Sequence, residues 1–67
     1  MDFVERARLR LEHWMDHNEK HREEYAAFAA QLEQAGKQAS AVHVREMAEL
    51  AGKSNACLRK ALKALES

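Results

Sequence analysis

The chain has 67 residues, 46% of them hydrophobic and 33% charged, with eleven basic and eleven acidic side chains, no proline and a single cysteine, Cys57. That length allows one domain at most, the lone cysteine excludes an intrachain disulfide, and a folded chain near this size hides only about 60% of the surface its unfolded form exposes. The even charge balance argues against a general polyanion binder, and no apolar run approaches the roughly 20 residues of a membrane-spanning helix.

With charges within its first six residues, the amino terminus lacks an apolar signal core, so a soluble, cytoplasmic protein is expected, in keeping with one unpaired cysteine. A domain this small, without a disulfide, needs a metal or a partner subunit to reach useful stability. The charges also divide: residues 1–35 hold eight acids and five bases (net −3), and residues 36–67 hold three acids and six bases (net +3), so the halves attract.

Alanine, glutamate, leucine, lysine, arginine and glutamine dominate, which is the composition of long helices, and no period-2 alternation suggests a strand. The expected fold is all-α: a single domain over 1–67, with a helix over about 3–35, a turn over about 36–40 and a helix over about 41–66, paired as an antiparallel two-helix hairpin. Asp2 followed by Glu5 is a variant of the capping box that opens a helix, and Gly36 can close that helix in the left-handed conformation. Ser40 is the expected N-cap of the second helix.

Apolar residues in the first helix recur at alternating steps of three and four: Val4, Ala7, Leu11, Trp14, then Asn18 and His21, then Tyr25, Phe28, Leu32 and Ala35. The second helix has Val44, Ala48, Ala51, Asn55, Leu58, Leu62 and Leu65 on the same rule, and both read as heptad-like seams. Centring the turn near Gln38 pairs Leu11 with Leu65, Trp14 with Leu62, Asn18 with Leu58, His21 with Asn55, Tyr25 with Ala51, Phe28 with Ala48 and Leu32 with Val44. In that register Asp16 comes level with Lys60 and Glu12 with Lys63, and Gly52 makes room for the Tyr25 ring. Asp16, Lys20 and Glu24 form an i,i+4 ladder of alternating charge along the first helix.

A second apolar group lies off these seams: Phe3, Met15 and alanines 26, 29 and 30 on the first helix, and Met47, Leu50 and Ala61 on the second. One hairpin cannot cover both stripes. Two hairpins packed face to face as a four-helix bundle can, so a homodimer is expected, with a hairpin seated on another helical protein as the alternative.

Residues 13–25 read HWMDHNEKHREEY and are the one stretch where chemistry can reside. His13, His17 and His21 are four apart and rise along one side of the helix, with Glu24 continuing that side. Two histidines at i and i+4 can bind one transition ion, and a closed zinc site needs four ligands. A metal site would therefore use His17, His21 and Glu24 and complete itself across a dimer, with His13 and Cys57 as secondary candidates and zinc, nickel, cobalt or copper as the ion. The structural reading of the same residues is a polar layer of Asn18, His21 and Asn55 inside an apolar bundle, where buried polar groups select register and oligomer state. Trp14, Tyr25 and Leu58 flank that layer at the expected interface.

No enzymatic activity is expected. Di-iron bundles place a glutamate three residues before a histidine, whereas Arg10, Trp14, Asn18 and Ser40 stand at those positions here. Ser40, Ser54 and Cys57 lack any nucleophile motif.

The run HWMDHNEKHREEYAAFA, followed after a short turn by a helix with Asn55 in its seam, resembles small microbial helical-hairpin domains that carry an HWxxHNxxHxxEY segment. The resemblance spans the chain, with His17, Asn18, His21 and Tyr25 at matching positions. It implies a helical hairpin and no established activity.

The leading functional reading is thus a homodimeric protein–protein interaction module with a polar core layer, and the alternative is a transition-metal-binding protein. Nucleic-acid binding is disfavoured: Arg6, Arg8, Arg10, Arg59, Lys60 and Lys63 gather at one end, but Glu5, Glu12, Asp16 and Glu66 dilute them.

Overall fold

A computed structural model describes residues 2–66 as two helices, α1 over Phe3–Gln34 and α2 over Gln38–Leu65, packed against each other as an antiparallel hairpin. Asp2 is extended, and its Oδ1 accepts the backbone N–H of Glu5 at 2.9 Å, which satisfies one of the orphan donors at the start of α1.

The far end of α1 closes on Gly36, at φ +77°. The N–H of Lys37 donates to the Leu32 carbonyl at 2.8 Å and that of Gly36 to the Glu33 carbonyl at 3.0 Å, the paired bonds of a Schellman closure. Lys37 already serves as the backbone cap of α2, and Gln38 Nε2 reaches back to the Glu33 carbonyl at 3.4 Å. Ser40 therefore lies inside the first turn of α2 and does not cap it. The connection is shorter than expected because the closure that ends α1 leaves the chain aimed straight into the next helix.

This shorter turn moves the hairpin centre from Gln38 to near Gly36 and slides α2 by almost one helical turn along α1. Asn18 bonds to Ser54 and Asn55, where Leu58 was expected, and His21 does not face Asn55. Asp16–Lys60 and Glu12–Lys63 do not form among the described residues; the interhelical ion pair is Glu33–Arg45, at 2.6 Å. Arg22, not Tyr25, lies over Gly52, where an added Cβ would sit 3.7 Å from the Arg22 Cδ. That is ordinary contact distance, so Gly52→Ala is expected to stabilise the protein by about 0.5–1 kcal/mol, the usual helix-interior penalty of glycine. Thermal melting of the single variant checks this, and a lower midpoint would contradict it.

On α2 the contact stripe is the expected one, with Val44, Ala48, Ala51, Asn55, Leu58, Leu62 and Leu65 buried or half-buried, whereas on α1 it departs from the expected seam at two levels. Ala29 and Met15, placed off the seam by the 3-4 pattern, are buried and half-buried, and the Met15 carbonyl accepts a bond from α2. Trp14 and Phe28, placed on the seam, stay about half exposed. The apolar band on α1 is wider than one neighbouring helix can cover, so its periodicity leaves open which edge faces α2.

The result is a rod, 51 × 18 × 10 Å, with a radius of gyration of 15.5 Å. A compact chain of this length would have a radius near 11 Å. Two helices side by side have no third layer, and among the described residues the buried apolar side chains are Ala29 and Ala41.

Glu33 and Arg45 join the helices beside the turn through two hydrogen bonds, from Nη2 to Oε1 and from Nε to Oε2. The bond from the Arg45 guanidinium holds the Glu33 carboxyl below its ordinary value of 4.5. A depressed folded-state pKa contributes stability above the unfolded value and loses it as pH falls through the folded value. The difference in melting temperature between the parent and Glu33→Gln is therefore expected to be present at neutral pH and to vanish in acid below the ordinary carboxylate range. A difference that persists there would show that the pair acts through something other than charge.

Candidate functional site

Asn55 is the buried polar residue among those described, 5% exposed, and its amide joins the two helices. Its Oδ1 accepts from Asn18 Nδ2 at 3.0 Å, its Nδ2 donates to the Met15 carbonyl at 3.1 Å, and Asn18 Nδ2 also donates to Ser54 Oγ at 3.1 Å. No buried side-chain polar atom among the described residues lacks a partner. A slip of one turn, about 5.4 Å, would break all three bonds, so this cluster locks the hairpin register. Of the expected polar layer the structure brings Asn18 and Asn55 together. His21 lies outside it, while Ser54 and the Met15 carbonyl, which side-chain pattern reasoning missed, belong to it. The signal for Ser54 was its place directly before Asn55.

The second feature is a broad apolar side. On each helix a row of residues stands one position before the contact stripe: Trp14 before Met15, His17 before Asn18 and Phe28 before Ala29 on α1, with Met47 before Ala48 and Ser54 before Asn55 on α2. One step back turns about 100° around a helix, and in an antiparallel pair equal turns from facing stripes lead to the same side. Phe3, His21 and Leu32 extend the α1 row, and Ala61 and Leu65 the α2 row. The side is open: Phe3 is 71% exposed, Trp14 48%, Phe28 53% and Met47 44%, and Leu50 at its margin is 62%. The reverse side is mixed: Arg22, Glu23 and Glu49 surround a shallow groove with Ala26 and Ala48, Glu19 bonds to Arg22 at 2.8 Å, and Leu9 and Val42 are exposed there.

A row of rings crosses the open side along α1. His13 stacks on His17 at 5.7 Å between centroids, His17 meets His21 edge-on at 4.5 Å, and His21 stacks on Tyr25 at 5.8 Å. Glu24 Oε2 lies 3.6 Å from His21 Nδ1. These neighbours do not make a metal site within one chain: among the described residues no three His, Cys, Asp or Glu side chains converge for an ion. Cys57 is exposed on α2, His43 pairs with Glu46 near the turn at 3.3 Å, and Leu58 is half-buried, one turn beyond the Asn18 level. Among the described residues no helix is long and apolar enough to cross a membrane.

The geometry defines a small all-α hairpin with an internal amide lock and one uncovered apolar side. The chain belongs to the family described as Domain of unknown function (DUF8180), whose family model matches residues 7–65. The match takes in the histidine row, the polar cluster and the turn. No curated protein and no solved structure matches the chain.

Proposed function

We propose that the chain works by binding, without catalysis, as a homodimeric interaction module in which a second hairpin covers the open side to form a four-helix bundle. One observation carries this reading. The hairpin exposes 5199 Å², whereas a compact monomer of its 7.7 kDa mass would expose roughly 4300 Å². The excess, about 900 Å², is close to the ~800 Å² that each partner contributes to an interface of standard size. Part of it is gathered on one side, where Trp14, Phe28 and Met47 stand together and Arg6 and Arg10 line a groove with Phe3 and Trp14 at the open end.

A contiguous apolar patch of this kind on a soluble monomer would invite unspecific association. The Asn18–Ser54–Asn55 cluster fixes the relative position of the two rows, so a partner meets one surface and not several. Sedimentation equilibrium across the micromolar range tests the proposal. The expected mass is twice that of the chain, and a monomer that still melts cooperatively at low micromolar concentration would overturn it.

A further inference from the structure

We infer that the homodimer binds one first-row transition ion between its two copies, with His17 and His21 of each copy supplying four imidazole ligands. The inference rests on the dimer proposed above. His17 and His21 stand one helical turn apart on the open side, with centroids 4.5 Å apart, and they fall on either side of the middle of α1. A two-fold axis brings like residues face to face. An axis crossing the hairpins at mid-length, at right angles to the helices, lays α1 antiparallel on α1 of the second copy and so sets the two histidine pairs together.

The chemistry suits that junction. Two imidazoles leave a tetrahedral ion half-coordinated, and a second pair completes the set of four. Glu24 lies beside His21, with Oε2 3.6 Å from Nδ1, and the two copies of its carboxylate would offset the charge of a dipositive ion. The stacked rings of His13 and Tyr25 hold the ligand pair from both ends. Imidazole sets favour zinc, cobalt, nickel and copper over magnesium or calcium.

The test uses untagged protein stripped with a chelator and titrated with Zn(II) and with Co(II), with sedimentation equilibrium run on the same samples. Expected are one ion per two chains and the intense visible absorption of tetrahedral Co(II). His17→Gln and His21→Gln each abolish this stoichiometric binding, with helix content checked by circular dichroism, and His43→Gln leaves it unchanged. No ion, or one ion per chain, in samples that sediment as dimers would overturn the four-imidazole site and leave the dimer standing. Stripped protein that sediments as a monomer and stays monomeric after the ion is added would overturn the dimer and this site together.

Discussion

Phe28→Glu is expected to weaken self-association about a hundredfold. The Phe28 ring is about half exposed in the hairpin, so covering what remains is worth about 1–1.5 kcal/mol per copy. A two-fold interface contains the change twice. Together the two copies lose about 2–3 kcal/mol, a factor of roughly 30 to 150 in the dimer dissociation constant. Leu9→Glu is the matched control: Leu9 is 52% exposed, nearly the same as Phe28, but stands on the side of α1 turned away from α2 and from the open face. Sedimentation of the two variants separates an effect of place from an effect of hydrophobicity. Equal affinities for Phe28→Glu and the parent would remove Phe28 from any interface.

Asn55→Ala acts inside the hairpin and is expected to cost about 2 kcal/mol. The change deletes the bond to Asn18 Nδ2 and the bond to the Met15 carbonyl and leaves a small void in their place. The Asn18 amide keeps Ser54, which limits the loss. Replacing both asparagines by leucine is expected to behave differently. It removes the buried polar groups together, so stability recovers or rises, while the chain loses the bonds that tell one register from a neighbouring one. Chemical denaturation reads the first effect. Dispersion of backbone amide resonances reads the second, as one set of peaks in the parent and several in the double variant. A double variant with a single sharp set would show that apolar shape alone selects the register.

The rotation of α1 has its origin in the width of its apolar band. The pattern from Val4 to Ala35 identifies a helix with an apolar band, but Trp14 and Met15, or Phe28 and Ala29, are adjacent members of that band, and either could face α2. The structure turns Met15 and Ala29 inward and leaves the larger Trp14 and Phe28 outside. The small alanine lets the helices approach near the turn, and the bulky rings stay for whatever covers the open side. His21 was drawn into the expected polar layer for the same reason, and it lies instead in a row of rings at the surface.

Local chemistry alone determined the two helices, the Asp2 cap and the closure at Gly36, because each depends on side chains within a turn or two of where it acts. The prominence of Asn18, Asn55 and the histidine row was equally legible, since polar residues interrupting an apolar repeat stand out at fixed spacing. Register and rotation were decided only by the tertiary structure. Three connecting residues in place of five shift the partner of Asn18 from Leu58 to Asn55, almost a turn, and the amide bonds from Asn55 to Asn18 and to the Met15 carbonyl hold the helices there. Those bonds join residues about forty positions apart, and helical periodicity carries no information about the phase of one helix relative to another.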